Sequence, residues 1–238
     1  MDCHDITEGF QEIVIRGALV RAGFRLLHAD EFAGGIVDLE FYVDIPGPES
    51  FYLAVGGDRM AQRPGGFAFN ASFAGSALSD PCLRVRDLGG PLGIVEVDAK
   101  SPWHQPIALN QFVRLEDACP VLALGAVGCL EVQCHRTLSL ATDPGEALTA
   151  RDGRATDVSL CLSLRRDDLA VEALAESLAD EVAHGRPVAR EQALSRLLSL
   201  RGSAEAQLLA LANHPDPAVA ERITRSLRCD PLTLTRRS

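Results

Sequence analysis

The chain has 238 residues, 47% hydrophobic and 24% charged, with a formal net charge of −10. That is the balance of a globular protein of one large domain, or one domain with an appendage, and it disfavours a surface built on clustered Lys and Arg for nucleic acid. No apolar run reaches the ~18 residues of a membrane span, and the acidic start Met1-Asp2-Cys3-His4-Asp5 carries no basic-then-apolar leader, so neither a membrane segment nor a secretory signal is read.

Seven cysteines without a CxxC pair point to a reduced cytoplasm rather than a disulfide framework. Lys100 is the only lysine against 22 arginines, the mark of a GC-rich, bacterial coding sequence. All twelve aromatic residues fall between Phe10 and Phe112, and after Leu164 the only glycines are Gly185 and Gly202. The chain is thus made of two materials, the first β-patterned and the second helical.

In chain order, Phe10, Ile13, Val14, Gly17 and Ala18 share one helical face, which predicts a helix over 8–22, although Ile13-Val14-Ile15 also has strand character. Strict alternation follows. Val37, Leu39, Phe41, Val43 and Ile45 alternate with polar residues and Tyr42 until Pro46-Gly47-Pro48 ends the run. The same period runs through 67–73, 83–86, 107–115, 130–140 and 158–164, with shorter apolar runs at 51–55 and 92–97. Gly56-Gly57, Gly65-Gly66, Gly89-Gly90-Pro91 and Asp143-Pro144-Gly145 separate them. Short alternating strands at this spacing predict an antiparallel β-sandwich over residues 1–164.

At Arg165-Arg166-Asp167-Asp168 the period changes to about 3.6. Asp167 or Asp168 supplies an N-cap, and Val171, Leu174, Leu178 and Val182 make one stripe. Gly185-Arg186-Pro187 breaks it, Leu194, Leu197 and Leu198 resume it, and Asp216-Pro217 starts a last helix faced by Val219, Ile223 and Leu227. The fold class expected is mainly β with an α appendage: a sandwich, a small helical domain over 165–230 and a tail at 231–238 that frays.

The stretch from Leu208 through His214-Pro215-Asp216-Pro217 to Leu227 resembles one unit of a HEAT-type helical repeat, over about 20 residues. It departs from the usual pattern in carrying Ala220 where such repeats often have Arg. The resemblance implies protein contact rather than chemistry.

Candidate chemistry is sparse. Cys129, Cys134 and His135 are close in sequence, but alternation places Cys134 on the Leu130/Val132 face and the other two opposite, so no metal site is expected and Cys134 reads as a small core residue. Cys161 falls on the polar face of its strand. Arg136 shares the Leu130/Val132 face, which predicts a sheet margin or a bulge, ahead of an ion pair or a ligand contact. Glu96-Val97-Asp98-Ala99-Lys100, with Asp87 upstream, resembles the metal-binding core of PD-(D/E)xK nucleases. That resemblance implies Mg²⁺-holding carboxylates and a lysine that positions or activates water, with Asp87, Asp98 and Lys100 as the catalytic set. Against it stand the break at Gly89-Gly90-Pro91, the many antiparallel-type strands and the negative charge.

Ser101–Pro106, bracketed by prolines, reads as a loop that presents Trp103, His104 and Gln105, followed by Asn110 on the next strand. With Arg136 these form the candidate binding set. The leading expectation is therefore a non-enzymatic cytoplasmic adaptor that contacts another protein, with no cofactor and no membrane or nucleic-acid partner. The alternatives are the nuclease-like enzyme and a small-ligand or glycan-binding sandwich built around Trp103.

Overall fold

A computed structural model describes residues 5–28, 31–32, 35–55, 67–78, 93–149 and 154–229. The expected strand at 83–86, the glycine pairs at 56–57, 65–66 and 89–90, Asp87 and the tail lie outside the described residues.

The protein is mostly antiparallel β-sheet with a smaller helical part towards its C-terminus. Two compact units are defined by their internal contacts, one of residues 1–29, 38–113 and 129–163, the other of residues 30–37, 114–128 and 164–238.

The first unit opens with a hairpin, β1 (Glu8–Ile15) and β2 (Ala18–Leu26), paired from Glu8↔Arg25 to Ile15↔Ala18. This replaces the helix expected over 8–22. The i, i+3, i+4 coincidence of Phe10, Ile13, Val14 and Gly17 was outweighed by the β-branched Ile13-Val14-Ile15 and by the turn. Arg16 (φ 50°) and Gly17 (φ 86°) both adopt positive φ, as a two-residue turn matched to strand twist requires. β4 (Asp38–Asp44) and β9 (Trp103–Ala108) complete a sheet of order β1-β2-β4-β9.

A second sheet has the order β3-β12-β10-β6-β7, with β3 Glu31–Phe32, β6 Phe67–Phe73, β7 Ser76–Ala77, β10 Val127–Leu138 and β12 Arg154–Arg165. A third small sheet has the order β11-β5-β8: Leu140–Ala141, Phe51–Val55 and Gly93–Val97. Between them, α1 (Pro144–Thr149) starts where the Asp143 carboxylate accepts the Gly145 and Glu146 amides.

The two larger sheets face each other through phenylalanine. Phe24 and Phe41 of the first meet Phe67 and Phe69 of the second in edge-on pairs with centroids 5.4–6.0 Å apart. Alternation along β10 explains why: Leu130, Val132, Cys134, Arg136 and Leu138 are all buried, while Glu131 and Gln133 are exposed. Each large side chain so placed contributes about 1.5–3 kcal/mol relative to exposure.

The expected strand at 107–115 is cut short. β9 ends at Ala108, and 3₁₀ turns at Leu109–Gln111 and Leu115–Val121 follow. The alternation of Leu109, Val113 and Leu115 is therefore core-facing without being extended, and Asn110 lies on a turn, not a strand.

The cysteine expectation also fails. Cys129 and Cys161 form a disulfide that clasps β10 to β12 across a sequence separation of 32. Alternation put both on the outer faces of their strands, and the strands turn out to be neighbours. Cys134 is buried and free, as expected.

The helical unit follows its punctuation closely. α2 (Asp168–His184) is capped by Asp167, whose carboxylate accepts the Ala170 amide at 3.0 Å. α3 (Pro187–Leu200) starts at proline and buries Ala193, Leu194 and Leu197. A 3₁₀ turn at Arg201–Ala204 leads into the short α4 (Glu205–Ala210). α5 (Pro217–Cys229) is capped by Asp216 on the Ala218 amide at 3.0 Å, and buries Val219 and Ile223.

Candidate functional site

The residues singled out from sequence fall into three places. Trp103, Gln105 and Arg136 point into the sandwich; His104 lies on the outer face of the first sheet; Asp98 and Lys100 form a turn.

Most of the expected Ser101–Pro106 loop is strand: β9 begins at Trp103, and Ser101 makes an isolated bridge with Asp98. β9 runs along β4 with Val43↔Trp103, Phe41↔Gln105 and Leu39↔Ile107 in register. Its place at the sheet edge tolerates Pro106. Trp103 is half-buried, its ring 6.0 Å from Phe41. Gln105 and Asn110 are buried, at 9% and 1% exposure.

Arg136 sits at neither a margin nor a bulge. It pairs with Phe67 in regular register, is 1% exposed, and its guanidinium lies 4.2 Å from the Phe67 ring centroid. The planar, weakly hydrated guanidinium stacks on the ring, which is how a cation fits this aromatic layer. Trp103–Phe41–Phe67–Arg136 is thus one packed chain of contacts and acts as core.

On the outer face, His104 Nδ1 lies 3.2 Å from a Glu40 oxygen, which also receives Arg25 Nε at 2.7 Å. Arg25 covers the Tyr42 ring, and Tyr42 donates to Glu8 at 2.8 Å. Burial, reinforced by the Glu8 carboxylate, pushes the Tyr42 phenol above its ordinary value, so it stays neutral. Next to it Phe10 lies over Gly23, and Arg21 over Phe10. These are charges paired with one another and laid over aromatic rings, on a face that also leaves Phe10 and Val14 48% and 64% exposed.

Asp98 takes the Lys100 and Ser101 amides on one carboxylate oxygen, each at 2.7 Å, and closes the β8–β9 turn. Lys100 is exposed beside it, and Asp87 lies outside the described residues. His135 Nδ1 lies 2.6 Å from Asp157, whose backbone is gripped in turn by the Gln11 amide group. Among the described residues no group of three His, Cys, Asp or Glu side chains is placed to hold a metal ion.

A different surface stands out, in the helical unit. Residues 118–130 carry no charged side chain. Within that stretch Val121, Leu124 and Val127 are 57%, 73% and 59% exposed. The loop is held in place through Arg166: the Gly125 amide donates to the Arg166 carbonyl at 2.9 Å, the Arg166 amide to the Ala126 carbonyl at 3.0 Å, and Arg166 Nη1 to the Leu122 carbonyl at 2.7 Å. Arg166 also forks onto both carboxylate oxygens of Asp168 at 3.0 Å. Its side-chain hydrogen bond holds the Asp168 carboxyl below its ordinary value. The residue after Asp168 is Leu169, which is 77% exposed. Asp168 also borders a cleft of about 410 Å³, lined further by Val171, Glu172, Glu205 and Gln207. The sequence signal for this surface is thirteen uncharged residues in a row, a pattern that does not tell a buried stretch from a displayed one.

No known protein-family model matches the chain, and no curated protein is similar to it. Among the described residues no helix is long and apolar enough to cross a membrane.

Proposed function

We propose that the protein is a non-enzymatic binding protein whose helical unit docks another protein on Val121, Leu124, Val127 and Leu169. The observation that supports this reading is the exposure of four large aliphatic side chains, Val121, Leu124 and Val127 along a stretch tied to Arg166 through Leu122, Gly125 and Ala126, and Leu169 three residues beyond Arg166. Scattered surface leucines need no explanation, but exposed aliphatic side chains that share one tether, Arg166, favour an interface. Burying each such side chain against a partner contributes about 1.5–3 kcal/mol. The α4–α5 segment that resembles a HEAT-type unit fits the same reading.

Location is part of the proposal. The cytoplasm expected from sequence has the Cys129–Cys161 disulfide against it, because such bonds persist in oxidising surroundings.

The test is affinity capture with the intact chain and with Leu124→Asp/Leu169→Asp, read by quantitative mass spectrometry. Both positions are exposed, so the variant should fold with stability within about 0.5 kcal/mol of the parent. A partner enriched by the parent and lost from the variant supports the reading. Partners retained equally by both sink it.

A further inference from the structure

We propose that the docked element is a basic amphipathic helix, its apolar stripe on Leu124 and Leu169 and one of its Arg or Lys side chains in the cleft beside Glu172 and Glu205. The proposal rests on the docking reading above and adds the chemistry of the partner.

Three observations carry it. The first is the backbone of the loop. The Leu122 and Ala126 carbonyls and the Gly125 amide are bound to Arg166, and the Ala126 amide to the Ala123 carbonyl. The loop therefore offers side chains rather than a free strand edge, and recognition proceeds by side-chain packing, as when a helix lies in a groove. The second is charge. The cleft is lined by Asp168, Glu172 and Glu205, with Ser203, Gln207 and the small or apolar Val171, Gly202 and Ala206, and by no basic residue among the described residues. Asp168 is neutralised by Arg166, but Glu172 and Glu205 form no ion pair among the described residues. Their field favours a cation and disfavours the acidic face of a second identical chain or an anionic lipid surface. The third is adjacency: Asp168 lines the cleft, the next residue of α2, Leu169, is exposed, and Arg166 binds both Asp168 and the 122–126 backbone. A helix with apolar residues one turn apart and a basic residue at the flank matches this arrangement.

The experiment uses the full chain and three fluorescent synthetic helices: Leu/Lys amphipathic, Leu/Glu amphipathic, and Ser/Lys with the charge of the first but no apolar stripe. Binding is read by anisotropy at physiological ionic strength. The Leu/Lys helix should bind and the other two should not. Glu172→Gln/Glu205→Gln should weaken it about tenfold, two solvent-exposed pairs being lost. Glu176→Gln/Glu181→Gln, the same charge removed elsewhere on α2, should leave it unchanged. Leu124→Asp/Leu169→Asp should abolish it.

Equal binding of the Leu/Lys and Leu/Glu helices, or equal weakening by both Glu pairs, overturns the proposal. So does binding to phosphatidylcholine vesicles that Leu124→Asp/Leu169→Asp removes, which would assign the face to lipid. Self-association removed by that variant, read by sedimentation velocity, overturns it in favour of a second copy. If no synthetic helix binds while Leu124→Asp/Leu169→Asp still loses a captured protein, the partner chemistry is wrong and the docking face stands.

Discussion

Gly23 shows how one residue fixes the first sheet. It faces Phe10 across the hairpin, and a Cβ at this position would run into the Gly9 carbonyl and lie 2.7 Å from Phe10 Cβ. Backbone on one side leaves nothing flexible to move. Gly23→Ala should therefore destabilise the protein by about 1–3 kcal/mol in urea unfolding, as overpacking does; a neutral substitution would mean that the hairpin lies farther from Phe10. Cys134 makes a second residue-scale prediction. Burial pushes its thiol up to about 12, so almost no thiolate exists at neutral pH. Peptide mapping after iodoacetamide treatment should find Cys134 unmodified in the native protein and modified in urea. Both residues illustrate what sequence offered: alternation placed Cys134 in the core, whereas nothing in the spacing announced that Arg136 would enter the same layer. A cation among apolar residues reads as a margin; the Phe67 ring opposite it, brought there by strand pairing, is one contact that makes the interior tolerable.

At the scale of elements, helix punctuation was legible and strand ends were not. Asp167, Gly185-Arg186-Pro187 and Asp216-Pro217 start and stop helices by local chemistry, so their positions held. The hairpin at 8–26 was missed because five residues happened to fit a helical face, while the Arg16-Gly17 turn carries its signal in backbone dihedrals that many residue pairs do not adopt. The disulfide was illegible for a different reason: pairing Cys129 with Cys161 requires knowing that β10 and β12 are neighbours. Its effect is calculable. Closing a loop of 32 residues constrains the unfolded chain, by about 3–4 kcal/mol on the chain-entropy account. Cys129→Ser should lower the unfolding free energy by roughly that amount without reductant, and dithiothreitol should abolish the difference from the parent. The Arg166–Asp168 fork sets a pH dependence. The Asp168 carboxyl is held below its ordinary 3.8. Its contribution is thus fully present above that value and is lost as pH falls through the lowered one. Acid titration of hydrogen exchange at the Gly125 and Arg166 amides should show the loop loosening in that range, and Asp168→Asn should flatten the response.

For the whole molecule the division is between surface charges that are paired and surface charges that are not. Ions and rings on the outer face of β1-β2-β4-β9 satisfy one another, from Tyr42–Glu8 to Arg25–Glu40. In the helical unit, Leu124 and Leu169 are exposed, and Glu172 and Glu205 form no ion pair among the described residues. Protein contact is an expectation from the two-material composition of the chain and a proposal for the helical unit. The exposure of the 118–130 stretch was not legible, because an uncharged run of thirteen residues looks the same whether it is buried or displayed. Of the residues favoured around Trp103, Gln105 and Asn110 are buried, Trp103 is half-buried against Phe41, and His104 lies on the outer face of the sheet. Docking through the Val121–Val127 loop is tested most directly by photo-crosslinking. A photoactivatable side chain is placed at Leu124, at Leu169, or at Val14, an equally exposed position (64%) on β1. The account predicts one shared crosslinked protein from Leu124 and Leu169 and none from Val14. The same adduct from all three positions, or adducts from Val14 alone, would contradict it.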